Sequence, residues 1–372
     1  MCLSCQAQLG YDPYAALLMP LEPGAANGSW QAVEGYGPRK LYYRCGNFNS
    51  PAACNWLVSA DKEGRPTRKL CASCRLNRMI PDLSRPENHE LWLKVEMAKR
   101  RMVSEVMAIG LRARSKIEED PERGLAFDII QSLPGGPRVM TGHANGLITI
   151  NLDEADDAKR EGTRVQMHEP YRTLLGHLRH EVGHYYWDRL ICHSDWLGPY
   201  RELFGDERQD YGEALQRHYA NGPRPDWPQH FVSAYATSHP WEDWAETWAH
   251  YLHMVDTLCT ASSFGIDSAH VPLKWEFFTR EALWKVEDPQ GENFLSFVNE
   301  WVTLSAVLNE LSRGMGHPDF YPFVLTQDVV KKLHFIHLVV GDAAAHGDSL
   351  KEIPEITPEG AEDTMQRTPF MA

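Results

Sequence analysis

The five residues His180-Glu181-Val182-Gly183-His184, an H-E-x-x-H pattern, carry more chemistry than any other segment of the chain. On an α-helix the two histidines lie one turn apart on one face, so both imidazoles can reach a single ion. Glu181, beside the first of them, can hold a water on that ion and take its proton. Two imidazoles and a carboxylate suit zinc, with a fourth position left for water. The surroundings agree with a helix. Tyr171 to Leu190 contains no proline, and Leu174, Leu175, Leu178 and Val182 recur at helical spacing, which predicts one buried face.

A single-ion site of this kind needs a third protein ligand, and a second helical segment downstream offers one. Trp241 to Tyr251 reads as a helix capped near Ser238, ahead of Pro240. Glu242 and Glu246 stand four residues apart and share a face, with tryptophan and alanine between them. Read alone, they are either solvent-facing carboxylates of an amphipathic helix or a buried pair that needs a cation or hydrogen-bond donors. Read with the upstream histidines, the pattern favours Glu242 as the third ligand and Glu246 as the group that orients a histidine. Asp243 is the fallback ligand.

Six of the eight cysteines fall in the first 74 residues: Cys2 and Cys5, Cys45, Cys54, and Cys71 and Cys74. Short C-x-x-C turns place two thiolates on one ion, and a second pair completes a tetrahedral site. Cys45, Cys54, Cys71 and Cys74 form the closed quartet expected of a structural zinc ribbon. The start, MCLSCQAQ, lacks a basic stretch followed by an apolar run, and no apolar segment is long enough to span a bilayer. The expected location is therefore the cytoplasm, where such spacing favours zinc over disulfides. Cys192 and Cys259 stand alone and are expected to be buried thiols.

With these residues in place, the chain resembles a gluzincin, the zincin group whose third ligand is a glutamate on a later helix. More closely, it resembles a bacterial family of zinc-binding metallopeptidases that carry an N-terminal zinc ribbon. The segments that carry the resemblance are Cys54-Asn55-Trp56-Leu57, Cys71 to Arg78, Ile148 to Leu152, His180 to Trp187 and Glu242 to Tyr251. Their order along the chain is more specific than any one of them, and the resemblance extends to about position 340. It implies an architecture more firmly than a substrate. Relatives of this type carry a further C-x-x-C upstream of the position of Cys2. Either the start is truncated or misassigned, or that first site has been lost or uses other ligands, so Cys2 and Cys5 have no assigned partners. The E-x-x-A-E spacing of Glu242 and Glu246 also resembles the ligand helix of toxin-type gluzincins. There, a tyrosine two helical turns before the ligand helps stabilise the transition state, and Tyr235 stands at that spacing. A phenol there can donate to an oxyanion; His239 competes for the same role.

The net charge of −14 is unevenly spread. Residues 1–116 hold 17 basic against 10 acidic side chains, and the remainder 20 against 41. A basic ribbon is a candidate surface for nucleic acid or an acidic partner, or it docks on its own acidic catalytic domain. Ile80 to Pro86 reads as a linker. His89 to Arg114 reads as a long helix, with Leu91, Val95, Ala98, Met102, Val106 and Ile109 on one face. Phe127 to Ile130 and Leu147 to Asn151 read as short strands of a small twisted sheet. If the latter is an edge strand over a cleft, a peptide can add to it, with Gly142, Asn145 and Gly146 shaping the entrance. Phe204 to Asp210 receives no role. Phe294 to Leu311 and Val329 to Val340 read as helices of a lower lobe, with His334 and His337 as core or surface residues rather than ligands.

The expected fold class is α+β. It comprises a ribbon over 1–80, a zincin-like, mostly helical metallopeptidase domain with a small sheet over 81–345, and an acidic, disordered tail over 346–372. The expected function is zinc-dependent peptide hydrolysis. Its catalytic zinc is held by His180, His184 and Glu242, with Glu181 as general base and a peptide or protein as substrate. The alternative is a ribbon-borne nucleic-acid or protein-binding module with a scaffold-like zincin lobe. No membrane partner is expected.

Overall fold

Strands β1 (Gln8–Asp12), β2 (Leu17–Pro23), β3 (Trp30–Ala32), β4 (Tyr42–Arg44) and β5 (Leu57–Ser59) form an antiparallel meander in which each pairs with the next. One face of the meander buries Met19, Leu21, Ala32, Tyr42 and Leu57. Gly10 lies where β1 crosses them. A Cβ there would sit 2.7 Å from methyls of both Leu21 and Leu57, so a larger residue would have to displace these leucine side chains. A bridge from Tyr11 to Trp56 brings the first strand back beside the last. The structure, a computed structural model, describes residues 1–132, 135–136, 139–166, 169, 171–266, 270–272 and 276–346. Apart from His346, the expected acidic tail lies outside the described residues. The chain divides into two compact units, 1–161 and 162–372.

The first unit also holds a four-stranded sheet in the order β6 (Asn77–Met79), β7 (Ala126–Ile130), β9 (Leu147–Asn151), β8 (Gly142–Ala144). β6, β7 and β9 run parallel, and β8 returns antiparallel to β9. The expectation of an edge strand at Leu147 to Asn151 is therefore corrected. β9 is paired with β7 along its whole length and with β8 over Leu147, Ile148 and Thr149, so it is not the edge of the sheet. The cause is the turn at Asn145 and Gly146, both at positive φ (47° and 75°), which folds Gly142–Ala144 back as an extra strand.

Helix α1 (Glu87–Ala108) stops six residues before the expected end, where Gly110 takes a φ of 87°. Its buried side includes Trp92, Val95, Met102, Val103 and Val106, but also Glu96 and Lys99, both without solvent exposure. These two pair at 2.8 Å, and Asn77 donates to Glu96 at 2.7 Å. Three of the ribbon's arginines are also paired with acids. Arg68 binds Glu118 and Glu119, Arg75 binds Glu119, and Arg78 binds Asp128, all within this unit.

Helix α2 (Asp157–Gln166) spans the sequence boundary between the units. The second unit is helical, with α3 (Leu174–Leu190), α4 (Leu197–Phe204), α5 (Tyr211–Asn221), α6 (Trp227–His230), α7 (Pro240–Ser263), α8 (Gly291–Gly314) and α9 (Gln327–His346). Thr173 caps α3 by accepting from the Gly176 amide at 2.9 Å. Pro240 opens α7, and His239, one residue past the expected cap, accepts from the Trp241 amide through Nδ1 at 3.1 Å.

The crossing of α3 and α7 is set by Gly183. A Cβ on it would lie 3.1 Å from the Ala245 Cα and 3.2 Å from the Trp248 Cβ, so the missing side chain lets the two backbones approach. Trp244 closes the contact by donating its indole N–H to the Gly183 carbonyl at 2.9 Å. Around this crossing, Trp244, Trp248, Tyr186, Tyr200 and Phe335 are buried in a continuous aromatic core. From α9, Lys332 reaches the Asp243 carboxylate at 2.7 Å and the His230 carbonyl at 2.8 Å. His334 and His337 pack against Asp288 and Tyr251, away from the α3 histidines. Among the described residues no helix is long and apolar enough to cross a membrane.

Candidate metal centre

Helical geometry puts His180 and His184 on one face of α3, and the tight crossing at Gly183 brings the first turn of α7 over them. The His180 and His184 Nε2 atoms are 3.1 Å apart. The Glu242 carboxylate closes the triangle, with Oε2 3.0 Å from the His180 Nε2 and Oε1 3.5 Å from the His184 Nε2. Ligands about 2.0–2.1 Å from a tetrahedral zinc stand about 3.3 Å from one another. The three side chains therefore have the spacing as well as the chemistry of a zinc site. Glu242 is fully buried, and its Oε2 makes no hydrogen bond despite facing the His180 nitrogen. A buried carboxylate oxygen in that state is costly, and a cation at the common focus of the three donors removes the cost.

The electrostatics describe a pocket made for positive charge. Burial disfavours a charged His180 ring, but the Glu242 and Glu246 carboxylates outweigh it and hold the imidazole well above its ordinary value. Burial likewise raises Glu242, yet the two histidines hold its carboxyl well below the usual range. Glu181 behaves oppositely. Burial pushes its carboxyl up, and the neighbouring histidines only partly offset that.

Glu246 accepts from the His180 Nδ1 at 2.7 Å, which turns the Nε2 lone pair toward the other two donors. Asp243, next to Glu242 but on another face of the helix, is buried against Lys332 instead of joining the cluster. The Tyr235 ring lies 6.1 Å from the His180 ring, centroid to centroid, and burial raises its phenol well above the ordinary value. His239 is spent as the α7 cap.

Three neighbours were not singled out from the sequence. Tyr211 donates its phenol to the Glu242 Oε1 at 2.7 Å, Ser233 donates to the Glu246 Oε2 at 2.5 Å, and Trp241 lies over the His184 ring with centroids 3.9 Å apart. Tyr211 opens α5 and Ser233 follows α6, so no shared helical period links either to the glutamates of α7.

In the first unit Cys45, Cys54, Cys71 and Cys74 gather as four buried sulfurs, with Cys54 and Cys71 Sγ 3.6 Å apart. That is close to the edge of about 3.75 Å expected for zinc–sulfur bonds of about 2.3 Å, and far beyond a disulfide. The amides of Cys71 and Cys74 point at the Cys45 and Cys71 sulfurs, each at 3.4 Å. Cys2 and Cys5 join no cluster of three or more metal-ligating side chains among the described residues. Cys192 is half-buried and Cys259 is exposed, so neither is the buried thiol expected.

Residues 88–339 match the family described as "Putative zinc-binding metallo-peptidase", and residues 1–85 match a zinc-ribbon domain. The chain belongs to this zinc-binding metallopeptidase family. Similar proteins of the curated collection, all named only as uncharacterized, occur in two strains of Mycobacterium tuberculosis and in Mycobacterium bovis. Each is 42% identical over 344 residues, covering 92% of this chain and 91% of the relative. No solved structure matches the chain. For a member of a zinc-binding metallopeptidase family, the two clusters are the natural places for zinc: one all thiolate and closed, the other mixed and beside a raised carboxyl.

Proposed function

We propose that this metallopeptidase-family chain hydrolyses peptide bonds at a zinc centre held by His180, His184 and Glu242, with Glu181 as the general base. The gathering of those three buried donor groups, with the His180 and His184 Nε2 atoms 3.1 Å apart and the Glu242 Oε2 3.0 Å from the first, is the observation that supports it most. When bound, zinc lowers the pKa of a water to about 7 and polarises a carbonyl. Glu181 accepts a proton from the attacking water as its oxygen bonds to the peptide carbon. The same carboxyl then delivers that proton to the leaving amine as the C–N bond breaks. Tyr235 donates to the oxyanion formed in between, and Glu246 fixes the tautomer and aim of His180. Cys45, Cys54, Cys71 and Cys74 hold a second, structural zinc that takes no part in the chemistry.

The deciding experiment compares the full chain with Glu181→Gln on a peptide library, together with zinc content. The variant should keep two zinc ions per chain and lose about 10²–10⁴-fold in turnover. Undiminished cleavage would remove Glu181 from the mechanism.

A further inference from the structure

A carboxylate has two equivalent oxygens and can grip a cation through one or both. In this centre neither glutamate is left that choice. Glu246 gives Oε1 to His180 and has Oε2 occupied by the Ser233 hydroxyl. Glu242 has Oε1 occupied by the Tyr211 phenol and turns Oε2 toward His180. Tyr211 is itself firmly placed. It is the first residue of α5, a start fixed by Asp210 accepting from the Glu213 amide at 2.7 Å. Its ring packs edge-on against His239 at 5.3 Å and Trp241 at 5.9 Å, the residues that lead into Glu242.

We propose that Tyr211 is a positioning residue that makes Glu242 a one-oxygen ligand. By occupying Oε1 it leaves Oε2 as the donor and so keeps one position on the ion for water or substrate. A two-oxygen grip would fill that position, and a hydrolytic zinc site works only while it stays open. The inference rests on the zinc reading above and adds to it a role for a half-buried tyrosine whose phenol is bonded to the ligand glutamate. The role differs from that of Tyr235, whose phenol acts on substrate.

Tyr211→Phe removes one oxygen and keeps the ring packing. The test uses the full chain loaded with zinc in the ribbon and cobalt(II) in the histidine centre, whose visible band reports the number of ligands. Zinc affinity is measured separately by chelator competition. Tyr211→Phe should lose band intensity as Glu242 takes hold with both oxygens. Its zinc affinity should shift by about tenfold, and kcat should fall with KM little changed. Ser233→Ala, which loosens Glu246 and not Glu242, should weaken zinc without altering the band. An unchanged band and affinity in Tyr211→Phe, with Glu242→Gln still losing metal, would overturn the role of Tyr211 alone. An identical band change in Ser233→Ala would also overturn it, because the effect would then not belong to Glu242. Unchanged affinity in Glu242→Gln would overturn the zinc reading itself.

Discussion

Gly183→Ala separates two opposing effects whose sizes can be compared. Alanine is the better helix former by about 0.8–1.0 kcal/mol, so propensity alone predicts a more stable protein. The structure predicts the reverse. The new Cβ would meet the Ala245 Cα at 3.1 Å and Trp248 side-chain atoms at 3.1 and 3.2 Å. One of those neighbours is backbone, so relief requires α7 to back away by a few tenths of an ångström. Overpacking of this kind costs about 1–3 kcal/mol, which leaves a net loss of about 1 kcal/mol after the propensity gain. The same retreat carries Glu242, one turn away, off the histidines, and metal–ligand distances tolerate only about 0.2 Å. Zinc affinity at the histidine centre should therefore fall on the order of tenfold, a loss comparable to that of an orienting partner. Urea unfolding of the metal-free protein reads the first effect, and chelator competition reads the second. A variant stabilised by about 1 kcal/mol with unchanged zinc affinity would refute the close-crossing argument.

Two further substitutions probe the support of each unit. Lys332→Met strips the partner from buried Asp243 and should cost about 3–5 kcal/mol of stability in thermal or urea unfolding. Adding Asp243→Asn should restore most of that, and no recovery would mean that Lys332 acts through its packing on Phe231 instead. In the first unit, burial raises the Asp12 carboxyl, but bonds from Tyr42, Lys40 and the Tyr14 amide outweigh it and hold the group below its ordinary value. A depressed acid stabilises the fold above its unfolded pKa of about 4 and loses that contribution as pH falls through the folded value. Asp12→Asn should thus cost about 1–3 kcal/mol at pH 7, with the gap from the parent closing below about pH 4. A gap independent of pH would contradict the assignment.

Much of the metal cluster was legible because helical periodicity is a strict rule. Four-residue spacing fixes that His180 faces with His184, and Glu242 with Glu246, before any tertiary contact is known. The choice between Glu242 and Asp243 was less legible, since it turns on Lys332, 89 residues later in the chain, drawing Asp243 away. Tyr211 and Ser233 left no mark at all, because hydroxyls delivered from other segments of the chain share no period with the glutamates they bond. The strand Gly142–Ala144 escaped notice for a related reason: three residues with one buried side chain are too few for alternation to register. In α1 the apolar stripe marked the helix but not its full buried face, because Glu96 and Lys99 are buried as a pair that a hydrophobic count reads as solvent-facing.

The tie between Lys332 and Asp243 also bears on the order in which the protein is made. Synthesis delivers His180, His184 and Glu242 first, yet the helix that presents Glu242 carries a buried acid whose counter-charge is encoded almost at the end of the helical region. Until α9 leaves the ribosome and docks, α7 has an uncompensated charge in its first turn and no stable seat over the histidines. Nascent chains and products of premature termination before residue 332 therefore carry every proposed zinc ligand while Asp243, beside Glu242, still lacks its counter-charge.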